Sequence, residues 1–236
     1  MSDILAFTTK MKKLLIRGLL LSIISLPCSY AKESPQEKDL PKVLLIGDSI
    51  SIGYTPHVKK ILKGKAIVTH HKGNAQHTST GLKKLDGWLG DTEWDVIHFN
   101  WGLWDLCYRN PTSKVQGHKD KANGKVTSSL ELYEKNLEQL VTRLKKTHAK
   151  LIWAHTTVVP DKEAGRIVGD DKKYNDVAAK IMKKHGVTIN DLHSLTKDFS
   201  FDLFAGAGDV HYKKDGYQKI GQQVAGAIEK TIDGEQ

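Results

Sequence analysis

Five short apolar runs limit what this chain can fold into. They lie at residues 43–46, 66–69, 95–100, 151–154 and 187–190, and most carry several β-branched residues. Runs of this length without polar alternation predict strands buried on both faces. Between and after them come stretches with helical periodicity, at 55–62, 79–89, 128–147, 171–185 and 215–230. In the first, Pro56 falls in the opening turn, where a missing N–H costs nothing. In the longest, Leu130, Tyr133, Leu137, Leu140, Val141 and Leu144 form one apolar stripe. Strands alternating with helices imply parallel pairing through right-handed crossovers, hence an α/β class, three-layer α/β/α sandwich around a five-stranded parallel sheet. With 236 residues and 39% hydrophobic content, the chain can bury one sizeable core. It shows no internal repeat, so residues 42–236 are expected to form one domain behind a polar, proline-flanked lead-in at 32–41.

Residues 1–31 follow a different pattern. A basic start (Lys12, Lys13, Arg17) precedes an apolar stretch at 18–26 and small residues at Ser29 and Ala31. That is the layout of a secretory signal peptide, with Met11 as a candidate start and cleavage expected after Ala31. The apolar stretch is too short to span a bilayer. Lipid attachment at Cys28 is the rival, disfavoured by Pro27 before it. The expected location is therefore periplasmic or secreted, with no membrane partner after signal removal. The formal charge is +9; losing Lys10, Lys12, Lys13, Arg17 and Asp3 leaves +6, and one cysteine, Cys107, remains. A lone cysteine forms no internal disulfide and reads as a small buried hydrophobe. The paired lysines on the predicted helices read as solvated faces, and no nucleic-acid motif accompanies them.

In open parallel sheets, ligands bind outside the carboxyl ends of the strands. "VLLIGDSIS" places Ser49 there, directly after the first strand. Serine after Gly-Asp caps helices well, but it is also a nucleophile once a base lies within reach. Other loops at strand ends carry histidine and tryptophan. The longest of these, at 101–126, holds Lys114, Lys119, Lys121 and Lys125, which either attract a charged polysaccharide or keep the loop soluble.

The segment "VLLIGDSIS" resembles the first block of the SGNH, or GDSL-like, serine esterase family, and "GDVHYKKDGYQKIG" (208–221) resembles its last block. The resemblance implies a flavodoxin-like fold and ester hydrolysis without metal or cofactor, with Ser49 as nucleophile and His211 as general base. There are departures. The last block carries aspartate three residues before the histidine, where this chain has Gly208; Asp209 follows one residue later. Neighbours in an extended chain point opposite ways, so either Asp209 or another acceptor orients His211. The family's oxyanion donors fall, by alignment, on Ser49, Gln76 (with Gly73 as the other register) and Trp104, the last standing where an asparagine is usual.

Candidate substrate-binding residues are Asn74, His77, Asn100, Trp101, Asp105 and His155. Trp101 and Trp104 suit stacking on pyranose rings, and His77 and His155 suit sugar hydroxyls. Asp105, like Asp48, reads equally as a carboxylate tying loops together. The adjacent pair His70–His71 diverges too much to chelate, and no metal is expected. The expected activity is hydrolysis of a short-chain acyl ester, acetyl by preference, on a carbohydrate. The alternative is a carbohydrate-binding protein on the same scaffold with weak or lost hydrolysis.

Overall fold

The computed structural model describes residues 39–234. The expected signal segment at 1–31, with Cys28, lies outside the described residues. The central sheet contains β1 (Lys42–Ile46), β2 (Ile67–His70), β3 (Val96–Phe99), β6 (Lys150–Ala154) and β7 (Thr188–Asn190), in the order β2-β1-β3-β6-β7, and every pairing is parallel. Counting only these strands, the order is the flavodoxin-like 2-1-3-4-5, whose direction switches between β1 and β3. Val43 to Ile46 in β1 and Val96 to Phe99 in β3 are almost fully buried, because helices cover both faces.

Among the described residues six α-helices flank the sheet, four connecting its strands and two following β7: α1 (Ser49–Ile61), α2 (Thr78–Leu89), α3 (Leu130–Lys145), α4 (Asp170–His185), α5 (Leu192–Lys197) and α6 (Lys214–Asp233). Helix α1 packs on α6, while α2 packs on α3 and α3 on α4, which makes two outer layers. Apolar periodicity located α2, α3, α4 and α6 within a few residues; it found α1 as well, but that helix begins at Ser49 rather than 55. Serine and glycine are weak helix formers, so its first turn shows no propensity signal. The Asp48 side chain sets that start by accepting the Ile50 N–H at 2.9 Å. Pro56 therefore lies inside the helix, not in its first turn. The short α5 carries too little periodicity to read.

The segment after β3 is tied down at its base. Strands β4 (Tyr108–Arg109) and β5 (Lys125–Val126) pair antiparallel within it. Tyr108 N–H donates to Gly165 O at 2.6 Å and Lys121 N–H to Ala164 O at 3.0 Å, docking this excursion on the segment after β6. Gly165 is required there, since a Cβ would stand 2.8 Å from Lys119 Cβ and 3.0 Å from Cys107 Sγ. Cys107 itself is buried. No described helix is long and apolar enough to cross a membrane.

Candidate active site

The β1–α1 turn delivers Ser49 to the sheet's carboxyl rim, at the switch point between β1 and β3. Gly47 permits the tight turn, since a Cβ on it would lie 2.8 Å from Ser51 Oγ. As the first residue of α1, Ser49 has a backbone N–H with no intrahelical acceptor, at the positive end of the helix dipole.

His211 arrives from the opposite end of the chain, three residues before α6. Close packing of α1 on α6 brings the two together. It depends on Gly53, whose Cβ would stand 2.2 Å from the Tyr217 ring, and on Gly221, whose Cβ would stand 2.7 Å from His57 Cβ. The outcome is a hydrogen bond of 2.8 Å between Ser49 Oγ and His211 Nε2.

Behind the ring, His211 Nδ1 lies 2.6 Å from Asp209 Oδ1. A carboxylate oxygen only accepts, so Nδ1 carries the proton and Nε2 is left to accept from the serine. The alternation argument against Asp209 fails because the chain turns here instead of extending. Asp209 N–H donates to Gly206 O at 3.2 Å, and Asp209 Oδ1 also accepts the His211 backbone N–H at 3.0 Å. Gly208 stands at φ +71°, and a Cβ there would meet Lys162 O at 2.5 Å. A side chain is excluded at 208, and the carboxylate that reaches His211 comes from the next residue. Burial pushes the Asp209 carboxyl up, but the His211 hydrogen bonds outweigh it and hold it below the usual carboxylate range. Burial pushes Asp48 up, against the opposing influence of the Ile50 N–H, Arg166 and His211.

Ser49 and His211 open onto a cleft of about 260 Å³, also walled by Asn74, Trp104, Arg109, Lys119 and Arg166. Asn74 was expected there, and Trp104 lines it with the Arg109 guanidinium over its ring at 4.6 Å. Other expectations are corrected. The Gln76 N–H is engaged by Asn74 Oδ1 at 2.8 Å, so it is not a free oxyanion donor. Gln76 stands at φ +52° in that turn. Trp101 is fully buried, with its indole packed where a Gly81 side chain would go, and offers no stacking face. Asp105 is also fully buried, accepting from Thr78 N–H at 3.0 Å and Thr78 Oγ1–H at 2.6 Å, so it ties loops together. Burial pushes its carboxyl up to about 6 against those donors.

Asn100 Nδ2 donates to Ala154 O at 2.7 Å, bracing the ends of β3 and β6. His155 pairs with Asp191 at 3.1 Å; it and Asn100 face a separate small cavity with Ser51 and Tyr54. His77 precedes α2, with Nε2 at 3.3 Å from Thr80 Oγ1, outside the cleft wall. Sequence reasoning missed Arg109 and Arg166. The one available signal was the charged pair Glu163–Arg166 inside a loop at a strand's carboxyl end. Among the described residues, no three His, Cys, Asp or Glu side chains cluster to hold a metal ion.

A doubly wound parallel sheet with serine, histidine and aspartate in hydrogen-bonded sequence at its carboxyl rim is the arrangement of a serine hydrolase. The model of the GDSL-like lipase/acylhydrolase family matches residues 45–219, and the chain belongs to that family. Solved structures share the fold at low identity. A lipase/acylhydrolase from Enterococcus faecalis superposes with a TM-score of 0.66 at 18% identity, covering 81% of this chain and 97% of the other. The acetyl xylan esterase AlAXEase gives 0.61 at 18%, covering 79% and 99%. A catalytic mutant of an acetylxylan esterase from Geobacillus stearothermophilus gives 0.61 at 14%, covering 80% and 94%. A search of curated protein sequences finds no match.

Proposed function

We propose that this chain is an exported serine esterase that removes a short acyl group, acetyl by preference, from a carbohydrate. The observation that carries the reading is the 2.8 Å contact between Ser49 Oγ and His211 Nε2, with Asp209 behind the ring. His211 takes the Ser49 proton as the oxygen attacks the ester carbonyl. The tetrahedral intermediate collapses to an acyl-enzyme, with His211 passing the proton to the departing sugar hydroxyl. Water, deprotonated by the same nitrogen, then releases the acid and restores Ser49. Asp209 holds the imidazole in the Nδ1–H tautomer and stabilises the imidazolium.

The oxyanion donors in this reading are the Ser49 N–H and Asn74 Nδ2. Asn74 Oδ1 is committed to Gln76 N–H, which turns the amide NH₂ away from that bond, and Asn74 lines the cleft. Trp104 then walls the cleft instead of standing in for the family's asparagine. The acetyl preference is supported by the modest cleft and by the acetyl xylan esterases among the structural neighbours. The export reading rests on residues 1–31.

The test is hydrolysis of p-nitrophenyl acetate and acetylated xylo-oligosaccharides by the wild type and Ser49→Ala. A fall of at least about 10³-fold in kcat for the variant is expected. Equal rates with retained sugar binding would replace this reading with the carbohydrate-binding one. Asn74→Ala is expected to lower kcat by about 10²-fold with little change in KM.

A further inference from the structure

We propose that the substrate carries an anionic group, a carboxylate or sulfate, beside the scissile ester, and that Arg166, Arg109 and Lys119 hold it. The inference rests on the esterase reading and names its substrate class, an acylated acidic carbohydrate. Three cations line the same cleft as Ser49 and His211. Arg166 is only 4% exposed, yet it lines the cleft. Its Nε–H donates to Leu103 O at 2.7 Å and Nη1 to Glu163 Oε1 at 2.8 Å. A guanidinium has five N–H donors, and these two are the ones with protein acceptors among the described residues. A buried cation fixed on one side, with donors left on the cleft side, is built to receive an acceptor.

The neighbouring anions do not occupy that role. Glu163 is fully buried; it accepts from Arg166 and from Gly165 N–H at 2.6 Å, and it is ion-paired with Lys119 Nζ at 3.1 Å. Its carboxylate therefore positions two of the cations from behind instead of facing the cleft. Asp48 and Asp209 act on Arg166 and Lys119 through their charge, but among the described residues neither carboxylate is ion-paired with them; Asp209 Oδ1 is bonded to His211 and Asp48 Oδ1 accepts the Ile50 N–H. Arg109 Cζ lies 4.6 Å above the Trp104 ring centre and Arg109 donates to Gly117 O, and Lys119 Nζ keeps further donors beyond its Glu163 contact. A neutral sugar ester offers these remaining donors no charged acceptor, and a charge-assisted hydrogen bond is roughly twice as strong as a neutral one.

The test compares acetylated oligogalacturonides with their carboxyl-reduced counterparts and with acetylated, sulfated neutral oligosaccharides, using wild type, Arg109→Gln and Arg166→Lys. The wild type is expected to prefer an acidic substrate by at least about 10-fold in kcat/KM, and the preference should shrink with added salt. Which acidic substrate is preferred separates carboxylate from sulfate. Each variant should cut the acidic-to-neutral ratio about 10-fold. A purely structural role would lower both substrates together and leave the ratio unchanged, which would overturn the inference; so would an equal wild-type rate on the neutral ester. Arg109→Gln keeps the test open if Arg166→Lys fails to fold. Titration of Ser49→Ala with the same sugars is read independently of turnover. If the esterase reading fails, preferential, salt-sensitive binding of the acidic sugar still supports the anion site, and indifferent binding rejects it.

Discussion

Helix α1 opens with two serines that each meet a histidine, and only one pair is equipped for chemistry. Ser49 Oγ lies 2.8 Å from His211 Nε2, and Ser51 Oγ lies 2.7 Å from His70 Nε2. The difference lies in what surrounds each pair. Ser49 is half-buried and opens onto the cleft, whereas Ser51 is 2% exposed and lies 2.7 Å from Asp48 O, which competes for its one hydroxyl hydrogen. Behind His211 stands a carboxylate; behind His70 Nδ1 stands the carbonyl of His71, at 2.7 Å. Burial pushes His70 down to about 4, so it is a poor proton acceptor at neutral pH. A Ser–His contact is thus cheap to build; access, a free hydroxyl proton and a charged partner for the ring make it a candidate catalyst. The Ser51 pair instead braces the turn that presents Ser49.

The sharpest break between the pairs is expected from the histidines. His211→Ala should lower kcat by about 10³–10⁴-fold, while His70→Asn should stay within about 10-fold of wild type; both are read by steady-state p-nitrophenyl acetate hydrolysis. Equal losses would erase the distinction. Next comes the carboxylate. Asp209→Asn should lower kcat by about 10²-fold or more, because the amide no longer favours the imidazolium. The double variant Gly208→Asp/Asp209→Ala, which restores the family's spacing, should not recover that loss. At φ +71° with a carbonyl 2.5 Å from any Cβ, position 208 cannot accept the side chain without moving the loop.

A smaller effect should come from the packing that brings His211 to Ser49 and has no counterpart for His70. Gly53→Ala forces a methyl into the Tyr217 ring and should cost about 1–3 kcal/mol in urea unfolding, with a fall in kcat. Gly226→Ala, on α6 with open space around it, should be neutral or slightly stabilising.

The comparison also shows what the sequence could reveal. The five strands, their parallel pairing and the three layers follow from apolar runs and periodicity, which are physical signals averaged over many residues, whereas the flavodoxin-like order came only with the family resemblance. Ser49 and His211 are legible because each sits in a short block with a recognisable neighbourhood. The reach of Asp209 was not, since it depends on a turn made by Gly206 to Gly208 that an extended-chain argument misplaces. Trp101 and Trp104 look alike in sequence, both after β3. One fills the space left by Gly81 and the other lies under Arg109, a difference decided by tertiary neighbours alone. Arg166 was hard to read because the charged pair it forms with Glu163 in a loop gains meaning only once the cleft surrounds it.

The last and smallest expected effect separates the pairs by pH. His70 has a folded-state value near 4, against about 6.5 when unfolded. The unfolded chain therefore binds the extra proton first, so this histidine leaves stability intact above about pH 6.5 and erodes it as pH falls towards 4. Because the ring is partly exposed, solvent screening reduces the penalty, to roughly 1 kcal/mol at pH 5. His70→Asn lowers stability at pH 7 by removing the Ser51 bond, but the variant should lose less on going from pH 7 to 5 than the wild type does. Thermal unfolding at the two pH values measures that slope. The pH profile of kcat/KM should keep its shape in this variant, because the proton that governs turnover sits on the other histidine. A profile that shifted with His70 would couple the two pairs and remove the basis for treating one as scaffold.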